Sequence, residues 1–137
     1  MHAKSFKLVD EITTELDSSS SSSLSYNCST PSVKKYVSQL TGMHLYVCHV
    51  PGPVVEGYFS IATEAHDDDG LPHTLEHMIF LGSQEYPYSG ILDILANKMY
   101  AAGTNAWTDV DNTTYTISTA EKHGFLQMLP VYLDHIF

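Results

Sequence analysis

The sequence predicts an α+β fold, with an antiparallel-rich sheet of about five strands packed against helices. Three observations carry that expectation. Segments of β-branched and aromatic residues are separated by turns too short for the crossover that parallel strands need. Later segments switch to the helical spacing of apolar residues. The 137 residues, 43% hydrophobic and 16% charged, are enough for one modest packed domain.

Residues 1–31 are expected to form an N-terminal segment and residues 32–137 the domain. Ser18 to Ser23, extended by Ser25, is a serine tract. Serine side chains compete with the backbone for hydrogen bonds, so Asp17 to Pro31 is expected to be a mobile loop. Val33 to Leu40 then reads as a strand ending at the Thr41-Gly42 turn. His44 to Val50 alternates and stops at Pro51-Gly52-Pro53, and Val54 to Thr63 is a third strand with Gly57 marking a bulge. Short turns between the three suggest a meander. Asp67-Asp68-Asp69 before Pro72 marks a helix start, and the helix should run from about Pro72 to Leu81 and stop at Gly82. Ile91 to Ala102 is a second helix with Ile91, Leu92, Leu95 and Met99 near one face. Thr104–Thr108 and Thr113–Thr119 read as two strands turning at Asp109 to Asn112. Glu121 to Phe137 is a third helix with Phe125, Met128, Leu129, Tyr132, Leu133 and Ile136 as its apolar stripe, interrupted by Pro130. An apolar helix face at the very end reads as a truncated domain.

Sixteen acids oppose six lysines, with no arginine, for a net charge of −10. Such a balance argues against nucleic acid and anionic membranes as partners, since both need basic contacts. No apolar run is long enough to span a bilayer. No signal or transit peptide is evident, so a cytoplasmic location is expected. Cys28 and Cys48 form no CxxC pair or disulfide framework and read as free thiols.

The chemistry-bearing segment is His73-Thr74-Leu75-Glu76-His77. Histidines four apart stand one turn apart on one helix face, so their imidazoles can converge on one Zn2+. Glu76, three residues after His73, can take a proton from a water held there. This is the inverted order of the HExxH helix. The bland alternative is a solvated helix face with two surface histidines.

The wider segment Gly70-Leu71-Pro72-His73-Thr74-Leu75-Glu76-His77-Met78-Ile79-Phe80-Leu81-Gly82-Ser83, followed by Glu85-Tyr86-Pro87, resembles the zinc helix and following loop of the insulinase/pitrilysin (inverzincin) metallopeptidases. Thr104-Asn105-Ala106-Trp107-Thr108 resembles that family's edge strand, with Asp111, Thr114 and Tyr115 on its partner. The Pro-His-x-Leu-Glu-His form looks closest to the presequence-protease-like branch and its cytosolic relatives. The resemblance implies a zinc-dependent endopeptidase acting on peptides or small unfolded proteins. It implies that His73 and His77 ligate zinc and Glu76 is the general base. Asn105, Ala106 and Trp107 would lie on the strand to which substrate adds as an extra β-strand. Trp107 also reads as a core aromatic.

Members of this family complete the site with a glutamate on a later helix. The acids after His77 are Glu85, Asp93, Asp109, Asp111, Glu121 and Asp134, and none stands in a segment resembling that helix. The resemblance therefore implies an N-terminal fragment, covering the beginning of the first half of a larger enzyme. The remainder of that peptidase chain would complete the site. The alternative is a catalytically inactive fragment that only binds metal or a partner.

Overall fold

The computed structural model describes residues 5–13, 30–67, 69–99 and 101–137. The serine tract and Cys28 lie outside the described residues. The described elements run β1 (Phe6–Thr13), β2 (Ser32–Ser38), β3 (His44–His49), β4 (Val55–Ala62), α1 (Leu71–Ile79), α2 (Ile91–Lys98), β5 (Ala101–Thr108), β6 (Asn112–Thr119) and α3 (Lys122–Ile136). The α+β class and the antiparallel pairing are as the sequence predicts. The chain forms two compact units, Met1–Gly52 and Pro53–Phe137, each with a three-stranded antiparallel sheet.

In the first unit the order is β1-β2-β3. Sequence reading does not foresee β1, whose ladder with β2 shifts register between Leu8 and Asp10. Lys34 Nζ lies 3.1 Å from Glu11 Oε1 across that pair. Both faces are well exposed, with Leu8, Ile12, Leu45, Tyr46 and Val47 all more than 40% accessible.

In the second unit the order is β4-β6-β5. The predicted meander is therefore divided: β2 and β3 pair, and β4 takes β6 as its partner. The β4–β6 register is unbroken from Val55↔Thr119 to Ala62↔Asn112, so Gly57 is not at a bulge. It is glycine because α3 packs over it. A Cβ there would stand 2.8 Å from the Phe125 ring and 3.1 Å from Ile117.

The core lies between this sheet and its helices. It is built from Leu92 and Ala96 of α2, Tyr115 and Ile117 of β6, and Met128, Val131 and Tyr132 of α3. Tyr132 Oη donates to the Thr116 carbonyl at 2.8 Å, and the Phe59 and Tyr132 rings are 5.5 Å apart. Strand β4 alternates, its half-buried Gly57, Phe59 and Ile61 facing the helices. The α3 stripe is turned slightly from the predicted one, so that Val131 and His135 are buried. Pro130 sits inside α3 without ending it. Helix α2 ends at Lys98, before Gly103, which belongs to β5. Among the described residues no helix is long and apolar enough to cross a membrane.

Candidate metal centre

Helix α1 starts at Gly70, not on the aspartates. Gly70 takes a left-handed conformation, φ 69°, that other residues adopt only at a cost, and no side chain caps the helix. Pro72 occupies the first turn, where a missing N–H is harmless. The Thr74 N–H and hydroxyl both donate to the Gly70 carbonyl, at 3.0 and 3.1 Å. Asp67 instead accepts from the Asp69 N–H at 3.3 Å. The helix ends at Ile79, with Phe80 as its C-cap, and Met78 is exposed.

One turn of this helix brings His73 and His77 together. Both are exposed, their Nε2 atoms lie 2.9 Å apart, and their rings stack with centroids 4.9 Å apart and planes 10° from parallel. Two neutral imidazoles so placed either share one proton or turn both lone pairs on one cation. On a tetrahedral ion with bonds of 2.0–2.1 Å, two nitrogens stand about 3.3 Å apart. The pair fits such an ion once the nitrogens separate slightly and the near-parallel rings rotate so that both in-plane lone pairs meet.

Glu76 does not join the pair in a metal-holding group. It is only 9% exposed, and Thr108 at the end of β5 donates its hydroxyl proton to Glu76 Oε2 at 2.5 Å. Among the described residues its carboxylate has no ion-pair partner; the single ion pair is Lys34–Glu11. Its charge reaches Tyr115, whose phenol is raised above the ordinary 10.0 first by burial and then by Glu76. Behind Thr108 stands Thr113, its cross-strand partner and 1% exposed. The Thr113 hydroxyl is 3.4 Å from Thr108 Oγ1 and 2.8 Å from Thr63 Oγ1. A groove of about 330 Å³ opens beside His73, lined among others by Asp67, Thr108 and Asp109.

Among the described residues no third histidine, cysteine, aspartate or glutamate joins the pair in a metal-holding group. Glu85 and Glu121 are exposed, and Glu121 caps α3. His135 is buried, with Nδ1 2.8 Å from the Val131 carbonyl and Nε2 without a hydrogen-bond partner.

Strand β5 is an edge of its sheet. Ala106 packs against the core, while Asn105 is exposed and Trp107 is 44% exposed. Trp107 is thus outside the core, on the sheet face away from Ala106 and Thr108. Thr108 is the residue that sequence reading missed. The signal available was a hydroxyl on the inward-facing parity of a strand, next to the turn that brings Thr113 opposite it.

Residues 61–136 match the family described as Insulinase (Peptidase family M16). An uncharacterized protein of Caenorhabditis elegans is 54% identical over 101 residues, covering 74% of this chain and 10% of the relative. An uncharacterized protein of Saccharomyces cerevisiae is 50% identical over 105 residues, 76% of this chain and 10% of the relative. A mitochondrial presequence protease of Xenopus tropicalis is 36% identical over 91 residues, 65% of this chain and 9% of the relative. The chain spans about a tenth of the length of these curated relatives.

Proposed function

The chain belongs to the insulinase family of peptidases, and on that premise we propose that it is the zinc-holding N-terminal part of a metalloendopeptidase acting on peptides or small unfolded proteins. The observation that carries this reading is the meeting of His73 and His77, whose Nε2 atoms lie 2.9 Å apart on one exposed helix face, with the Glu76 carboxylate on the same turn.

His73 and His77 would hold Zn2+ through their Nε2 atoms. Bound there, zinc supplies Lewis acidity toward a peptide carbonyl and makes a neighbouring water more acidic. Glu76 takes the proton from that water on its carboxylate and returns it to the departing amine nitrogen. The edge of β5 at Asn105, Ala106 and Trp107 offers main-chain groups for an extended peptide, a recognition mode that tolerates varied side chains.

A second reading is supported by the ligand count: the 137-residue chain by itself binds metal without turnover. A catalytic zinc site normally uses three protein ligands and a water. The described residues offer two.

The test uses the long protein that carries this segment. Glu76→Gln should keep zinc and lose peptide cleavage by roughly 10²–10⁴-fold, the usual range for removing acid–base catalysis. Zinc loss in that variant, or full activity, would reject the assignment.

A further inference from the structure

The site contains three potential ligands on one helix, and only two of them converge. Glu76 is three residues from His73 and next to His77, so its flexible side chain is within reach of a cation held by the pair. It is held instead by the hydroxyl of Thr108, 32 residues further along the chain. We infer that Thr108 is the positioning residue that keeps Glu76 out of the metal's ligand set and thereby leaves it free to act as a base. The inference rests on the metal reading above.

The hydroxyls behind Thr108 explain how one neutral side chain can hold a carboxylate against that pull. Each hydroxyl has one proton to give. Thr108 gives its proton to Glu76, so toward Thr113 it can only accept. The Thr113 hydroxyl stands 3.4 Å behind it and shares a hydrogen bond with Thr63 Oγ1 at 2.8 Å. These neighbours surround the Thr108 hydroxyl, whose proton is directed at Glu76 Oε2. Thr113 is fully buried between two strands, so these hydroxyls are held by the β4–β6–β5 ladder. Remove the Thr108 hydroxyl and Glu76 becomes a buried carboxylate with no ion-pair or hydrogen-bond partner among the described residues, one turn from a cation. Its most favourable move is onto the metal.

A merely structural threonine would lower zinc affinity or leave it unchanged; this one should raise it when removed. Zinc affinity of the 137-residue chain is measured by competition calorimetry. Thr108→Val should bind roughly 10–100-fold tighter than the parent chain, the scale on which neighbours of metal ligands act. Thr108→Ser, which keeps the hydroxyl, should match the parent. Adding Glu76→Gln to Thr108→Val should abolish the gain, and Glu76→Gln alone should change affinity by less than about twofold, since the carboxylate is not then a ligand. An unchanged affinity in Thr108→Val, or a gain that survives Glu76→Gln, overturns the inference. So does a large loss of affinity in Glu76→Gln alone, a comparison that needs no substitution at Thr108 and decides the matter if Thr108→Val does not fold. The metal reading fails separately, and takes the inference with it, if His77→Ala binds zinc as well as the parent chain.

Discussion

His73, Glu76 and His77 are legible in the sequence because their relation is local: spacing along one helix fixes which side chains share a face. Their surroundings are not. Asp67 and Asp69 look like helix caps, yet Gly70 takes the cap and Asp67 bonds to the neighbouring backbone instead. Thr108 reads as one strand threonine among several, and only the docking of α1 on β5 gives it a partner. The core residue Tyr132 supports a prediction at this same scale. Burial, then the neighbouring Tyr115, hold its phenol well above the ordinary 10.0. Below pH 10 folded and unfolded chains both keep that proton and stability is unaffected. Above it the unfolded chain releases the proton while the folded one retains it, so stability should fall as pH rises. Tyr132→Phe should flatten this slope, Tyr115 keeping its own share, while costing about 0.5–1.5 kcal/mol near neutrality for the lost bond to the Thr116 carbonyl. Urea unfolding at neutral and alkaline pH measures both; an unchanged slope in Tyr132→Phe would assign the alkaline loss to other groups.

At the scale of elements, the close approach of α3 to β4 makes Gly57 a position with no room for a side chain. Gly57→Val would push a branched side chain into Phe125 and Ile117, and should destabilise the chain by about 1–3 kcal/mol, the usual cost of overpacking. Denaturant midpoints measure it, and Phe125→Ala in the same chain should recover part of the loss. At Gly70 a Cβ meets nothing within 4 Å, so Gly70→Ala should cost only the left-handed backbone, about 1–2 kcal/mol. Helices and strands of the second unit are readable because their apolar periods are long and bounded by glycine and proline. Pairing is harder to read. The chain after β3 turns at once into β4, yet β4 lines up with β6, where Gly57, Phe59 and Ile61 meet Ile117, Tyr115 and Thr113 on one inward face. Any of several antiparallel partners satisfies the local pattern, and only the shared core selects this one. Strand β1 escapes notice because Phe6-Lys7-Leu8-Val9-Asp10-Glu11 breaks its alternation where the ladder slips register.

For the whole molecule, the first unit offers apolar side chains on a three-stranded sheet, and the chain is about a tenth of its relatives' length. The isolated 137 residues should therefore bind a hydrophobic dye and self-associate despite their −10 charge. Light scattering and dye fluorescence check this, and Leu45→Lys with Val47→Glu should reduce both. The same chain with added zinc should show no chelator-sensitive cleavage of a quenched fluorescent peptide. Turnover that vanishes in Glu76→Gln would demonstrate a third ligand within these residues.

The hydrogen bond from Thr108 to Glu76 also has a place in time. A ribosome adding roughly 5–20 residues per second makes Thr108 about 2–6 s after Glu76. During that interval the histidine pair has been synthesised, but the strand that steadies the carboxylate has not. A nine-residue helix is marginal by itself, so neither the pair nor the carboxylate has a lasting shape until the β5–β6 hairpin closes. A growing chain thus passes through its most exposed seconds with the site unassembled.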